Sequence, residues 1–145
     1  FDDIYWYGTW NGADARWKGT ATTGAFTSMA ASQAGSFLPV PGDFNGDGRD
    51  DLFWYQPGGD PKVANQNQVG TTNWEPNARP DQLWLGQANG SFAVSNLAVN
   101  GAAIPLPGDF DGDGDTDIIW FAPGEGADTL WRMSNGSPVS VPLTL

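Results

Sequence analysis

Two stretches of this chain place oxygen-bearing side chains at every second position of a short, glycine-rich segment. Gly42-Asp43-Phe44-Asn45-Gly46-Asp47-Gly48-Arg49-Asp50-Asp51 has a near copy in Gly108-Asp109-Phe110-Asp111-Gly112-Asp113-Gly114-Asp115-Thr116-Asp117. Counting from the first Asp, each has Asp or Asn at positions 1, 3, 5 and 9 and glycine at 6. A hard cation such as Ca²⁺ takes about six to eight oxygens. Alternate residues of a tightly wound loop aim theirs at one centre while glycine supplies the sharp turn. The candidate ligands are Asp43, Asn45, Asp47 and Asp51 with the Arg49 carbonyl, and Asp109, Asp111, Asp113 and Asp117 with the Asp115 carbonyl. The expected cofactor is calcium at two sites. Turn preference alone explains Asp, Asn and Gly in a loop, but not their strict alternation in two copies. With four carboxylates against three, the Asp109 loop is expected to bind more tightly. Position 12, where an EF-hand has its bidentate Glu, is Trp54 or Trp120 inside an apolar run, so these loops lead into strands and are not EF-hands.

Composition says what holds such loops. The chain has 145 residues, enough for a core, with 20 Gly, 11 Pro and 8 Trp, which points to many short strands joined by turns. Cysteine is absent, so rigidity has to come from packing and metal. A formal charge of −11 argues against nucleic acid or an anionic membrane as partner. Much of that charge lies in the two loops, where divalent cations would offset it. No apolar run approaches the ~20 residues that span a bilayer. No leader segment is visible, and any export signal is expected to have been removed or to belong to a longer precursor.

Internal repetition sets the architecture. Phe1-Asp2-Asp3-Ile4-Tyr5-Trp6-Tyr7 matches Arg49-Asp50-Asp51-Leu52-Phe53-Trp54-Tyr55 and Asp115-Thr116-Asp117-Ile118-Ile119-Trp120-Phe121. A second strand type starts at Asp14, Asp81 and Asp128 with Trp three residues on; a third covers 26–31, 92–97 and 139–144; a fourth, at 37–42 and 103–108, precedes each acidic loop. The middle repeat carries an insertion within residues 57–80 that reads as a surface loop. Four short strands per repeat predict an all-β fold of about three four-stranded antiparallel β-propeller blades: blade 1 at about 1–35, lacking one strand, blade 2 at 36–101 and blade 3 at 102–145, in a single domain over 1–145.

The pattern Pro-Gly-Asp-Phe-Asn/Asp-Gly-Asp-Gly-x-x-Asp, followed by an apolar strand and Gln56-Pro57-Gly58 or Ala122-Pro123-Gly124, resembles the FG-GAP and VCBS repeats of integrin-like propellers. The resemblance covers nearly the whole chain apart from the insertion. It implies calcium at the Asp and Asn positions named above, and closed rings of blades on secreted or cell-surface proteins. The Phe-Gly dipeptide of the first strand is replaced by segments containing Pro39 and Pro105, which favours the VCBS-like branch. Three blades do not close a ring, so a partial or oligomer-completed propeller is expected, its partners other copies or the remaining blades of a longer chain.

Trp6, Trp54 and Trp120 share one repeat position and Trp17, Trp84 and Trp131 another, which makes them packing residues. Trp10 and Trp74 lie in connections instead, beside Asn and Gln, and either offer a platform for a sugar ring or fold back to pin their own loops. Asn89-Gly90-Ser91 and Asn135-Gly136-Ser137 match a glycosylation sequon, but their matched placement favours turns. Without His or Cys, the commonest general base and the thiol nucleophile are missing, and no enzyme is expected. Asp14, Asp81 and Asp128 repeat with the blade and are expected to be structural. The reading is a calcium-binding, extracellular propeller module with a structural or protein-interaction role. The alternatives are a lectin using Trp10 and Trp74, or an accessory domain of a secreted hydrolase.

Overall fold

Runs such as Leu52-Phe53-Trp54-Tyr55 and Ile118-Ile119-Trp120-Phe121 join branched and aromatic side chains that favour a pleated, half-buried surface, and Gly- and Asp-rich turns bound them. The computed structural model describes residues 3–8, 13–33, 35, 37–56, 80–99, 103–124 and 126–143. Among these the regular elements are all β-strands: β1 (Ile4–Trp6), β2 (Ala15–Gly19), β3 (Phe26–Ala30), β4 (Leu38–Gly42), β5 (Asp51–Tyr55), β6 (Asp81–Gly86), β7 (Phe92–Leu97), β8 (Ile104–Gly108), β9 (Asp117–Phe121), β10 (Asp128–Ser134) and β11 (Ser137–Leu143). They form three antiparallel sheets, β1-β2-β3, β4-β5-β6-β7 and β8-β9-β10-β11, in chain order. The protein is all-β, and its sheets of three, four and four strands have the form of propeller blades.

Proline placement shows why the outer strands are outer. Pro39 and Pro41 in β4 lie opposite Trp54 and Leu52, and Pro105 and Pro107 in β8 lie opposite Trp120 and Ile118. Alternate residues of a strand face one neighbour, so prolines two apart leave the missing N–H groups on one side. That pattern is tolerable only at a sheet edge, and it blunts the edge against further pairing. At the other end of the third sheet, β11 repeats the device with Pro138 and Pro142. Asn135 and Gly136 join β10 to β11 with φ of 50° and 75°, the left-handed pair of a type I′ hairpin. Gly90 closes a turn by donating to the Gln87 carbonyl at 2.8 Å. Both Asn-Gly-Ser triplets are thus turns.

The chain divides into two compact units, Phe1–Phe37 and Leu38–Leu145. In the second, β4 and β8 run beside each other. Val40, Phe44, Phe53, Tyr55 and Leu83 of the second sheet form one core with Ala103, Ile118, Trp120 and Met133 of the third. Trp120 is its hub, with ring centroids 5.6 Å from Phe53, 4.9 Å from Tyr55 and 5.2 Å from Trp131. The Tyr55 hydroxyl accepts a bond from the Ala103 amide at 2.9 Å, tying the end of β5 to the entrance of β8. In the first unit, Tyr7 holds the Phe37 amide at 2.8 Å in the same way.

Matched repeat positions do not all share one environment. Trp54 and Trp120 are buried and Trp84 and Trp131 half-buried, whereas Trp6 is 52 % exposed and Trp17 39 %. The expectation that all six pack as core therefore fails in the first sheet. There the two indoles meet edge-on, 5.5 Å apart, and Phe26 lies 6.2 Å from Trp17. The third sheet shows the converse. Val40 and Phe44 of the second sheet are 3 % and 0 % exposed, while their counterparts Leu106 and Phe110 are 46 % and 48 % exposed.

Candidate metal centre

Each acidic loop leaves an edge strand, β4 or β8, and returns as the central strand beside it, β5 or β9. Gly48 and Gly114, at position 6, have φ of 77° and 96°, a backbone that side chains with a Cβ rarely adopt. The loop then winds around its first carboxylate. Asp109 accepts from the Gly112 and Gly114 amides at 2.7 and 3.2 Å. Asp43 accepts from Asp47 and Gly48 at 3.1 and 2.7 Å.

Asp109, Asp111 and Asp117 converge, each offering an oxygen within 4.8 Å of the others. Three carboxylates and nearby carbonyls form an all-oxygen donor set, which suits a hard cation and no soft one. Asp113 is not one of this trio and accepts the Asp115 amide at 2.9 Å, while the Asp115 carboxylate accepts the Asn135 amide at 3.0 Å. Only the carbonyl of Asp115 was expected to serve.

The Asp43 loop is drawn in on itself. Arg49 Nη1 lies 2.6 Å from Asp47 Oδ2, and Asn45 Nδ2 donates to that same oxygen at 3.2 Å. The Arg49 side chain is 44 % exposed, so the pair is worth about 0–1 kcal/mol. Arg49 was read only as a carbonyl donor; its guanidinium is a cation already at the loop.

Position 9 has a second task. The Asp51 carboxylate is fully buried and accepts from Phe44 N at 2.8 Å and Gly86 N at 2.7 Å; Asp117, equally buried, accepts from Phe110 N at 3.0 Å and Met133 N at 2.8 Å. Each thus links the loop to the strand beyond its own. Asp3, at the matching place in the first sheet, accepts Gly19 N at 2.9 Å and pairs with Arg16, whose Nε and Nη2 lie 3.0 and 2.5 Å away. Arg16 occupies the position held by Leu83 and Leu130 in the other sheets. This guanidinium supplies the positive charge at Asp3, a partner that sequence comparison passed over because it breaks the repeat.

At the opposite end of each sheet, Asp14 takes the Gly8 and Gln33 amides, Asp81 takes Gln56 and Val99, and Asp128 takes Ala122. Asp14 and Asp81 each fasten three segments at one point, and Asp128 joins two. Trp10 and Trp74 lie outside the described residues, as does most of the insertion.

Burial pushes the Asp81 carboxyl up, against the pull of the Gln56 and Val99 amides. Asp51 rises to about 6, chiefly by burial; the Gly86 and Phe44 amides oppose this, and the Asp43 and Asp47 charges add to it. A carboxyl raised in the folded chain holds its proton more tightly there than in the unfolded chain. Its contribution to stability is full below about pH 4 and is lost as pH climbs through the folded value. The calcium-free protein is therefore expected to lose on the order of 1–3 kcal/mol between about pH 4 and 7. Urea midpoints in chelator across that range test this, and a midpoint that rises with pH would contradict it.

Comparison with known proteins agrees with the geometry. The FG-GAP repeat family matches at residues 39–71 and 102–137, the segments that hold both acidic loops. No curated protein matches the chain. No solved structure matches it. No helix among the described residues is long and apolar enough to cross a membrane. FG-GAP repeats are blades of β-propellers, often calcium-binding and typically extracellular, and two segments of this chain match that repeat, at 39–71 and 102–137.

Proposed function

We propose that this is a calcium-stabilised, extracellular propeller module whose role is structural, serving adhesion or assembly rather than catalysis. The observation that carries the reading is the convergence of Asp109, Asp111 and Asp117 in a loop whose first and ninth carboxylates also organise the backbone. Calcium there would neutralise the repulsion among those carboxylates and so stabilise the fold. The same role extends to Asp113 and to Asp43, Asn45, Asp47 and Asp51, with the Arg49 and Asp115 carbonyls completing the two sets. Outside the loops, the Asp14, Asp81 and Asp128 carboxylates hold strand ends, which favours a structural task for them. The uncovered Leu106 and Phe110 favour partners of the same kind, further blades from this chain or from other copies.

Calcium titration by calorimetry tests the reading. Two sites are expected in the unaltered protein and one in each of Asp43→Ala and Asp109→Ala, with the tighter site surviving in Asp43→Ala. Tighter binding in Asp109→Ala would reverse the ranking, and no binding in any of them would remove calcium from the proposal. A second reading, a glycan-binding module, is favoured by a groove of about 630 Å³ in which Trp131 lies near Thr129 and Ser140, an aromatic face beside hydroxyls. A glycan array in calcium separates the two, because silence across the array eliminates the second.

A further inference from the structure

The two acidic loops are bonded directly to each other. The Thr116 amide donates to the Asp43 carbonyl at 2.6 Å, and the Asp43 amide donates to Thr116 Oγ1 at 3.0 Å. Asp43 is the first candidate ligand of its own loop, and Thr116 sits between Asp115 and Asp117, the seventh and ninth positions of the other. A single residue of one loop therefore holds both backbone groups of the residue on which the other loop winds. The fit around this joint is close. A Cβ on Gly42 would fall 2.7 Å from the Thr116 methyl, and one on Gly46 would collide with the Asp115 carboxylate. Gly136 N donates to the Phe44 carbonyl at 3.0 Å, fixing the residue after Asp43 to the same sheet as Thr116. Neither loop can shift its ligand backbone without moving the other.

We propose that Thr116 is a positioning residue that couples the two calcium sites, so that filling the Asp109 loop raises the affinity of the Asp43 loop, and the reverse. The inference rests on the calcium reading above. An ion held by Asp109, Asp111 and Asp117 restrains the backbone on both sides of Thr116, and the two hydrogen bonds pass that restraint to Asp43. The second ion then meets a first ligand already in place. Linkage requires the effect to be equal in both directions.

The test is a cycle of calorimetric titrations with Ca²⁺ alone. Asp111→Ala leaves the Asp43 loop as the working site, and Asn45→Ala leaves the Asp109 loop. The affinity of the Asp43 loop with its neighbour filled, over that with the neighbour disabled, is expected to be about five- to tenfold, and the reciprocal ratio equal. Thr116→Val, which keeps the shape but removes Oγ1, is expected to bring the ratio to about twofold, whereas Thr116→Ser, which keeps the oxygen, should leave it intact. A residue with only a structural role would change stability without changing this ratio. Independent sites in the unaltered protein, or a ratio unmoved by Thr116→Val, would overturn the coupling while leaving the calcium reading intact. Absence of any calcium binding would overturn both.

Discussion

Asp117→Ala is expected to cost about 2–6 kcal/mol in calcium-free buffer, a large part of the total for a domain of this size. The carboxylate is wholly buried and accepts the amides of Phe110 and Met133, so alanine takes the acceptor from a buried N–H at Met133 and a part-buried one at Phe110. Each stranded donor costs about 1–3 kcal/mol, far more than the net worth of an exposed hydrogen bond. Asp117→Asn keeps the volume and one acceptor but turns an amide N–H toward the other donor, and is expected to recover about half the loss. Asp113→Ala is the control. It lies in the same loop and is a candidate ligand, yet it accepts only the Asp115 amide at the surface, so its removal in chelator is expected to cost within about 0.5 kcal/mol. Urea unfolding followed by tryptophan fluorescence measures all three. Equal losses for Asp117→Ala and Asp113→Ala in chelator would show that position 9 acts through the metal alone.

Calcium itself is expected to produce the other large effect. A ligand that binds only the folded state stabilises it by about 2.7 kcal/mol per site at a hundred times its Kd. For a domain of this length each kcal/mol raises the melting temperature by about 2–4 °C. Saturating both sites should therefore raise Tm by about 10–20 °C over the same protein in chelator, at matched ionic strength so that general screening of the −11 charge is held constant. Magnesium is expected to give a fraction of that shift, because it keeps its waters and demands tighter octahedral geometry than a loop of carboxylates and carbonyls offers. Identical melting curves in calcium and chelator would leave the acidic loops as ordinary turns.

The two experiments separate the double role of the ninth position. Asp51 and Asp117 look like the other ligands in the sequence, one more oxygen on a repeating spacing. In the fold they differ in kind from Asp47 and Asp113, since they face inward and receive the amides of a neighbouring strand. Asp3 completes the pattern from the other side. It keeps the strand-linking bond, to Gly19, while Arg16 stands as its cationic partner. The strand-linking task is common to all three sheets, whereas convergence of carboxylates is found among the described residues only at Asp109, Asp111 and Asp117.

What the sequence by itself determined is what depends on near neighbours. The strands, their antiparallel order and the winding of the acidic loops follow from spacings of two residues, from glycines that alone accept left-handed backbone, and from prolines that tolerate only an edge. Strand ends moved by a residue or two, most visibly where β11 begins at Ser137 rather than Val139, because a type I′ turn at Asn135-Gly136 extends the ladder to the hairpin itself. Only the tertiary structure decided the contacts between residues distant in the chain. Arg16 on Asp3, Thr116 on Asp43 and the amide of Gly86 on Asp51 carry no periodic signature, since each depends on how one segment is laid against another. The same reason explains the tryptophans: repetition places an indole at the same point of every sheet, but whether it is buried depends on what packs over that sheet, as Trp120 and Trp6 show.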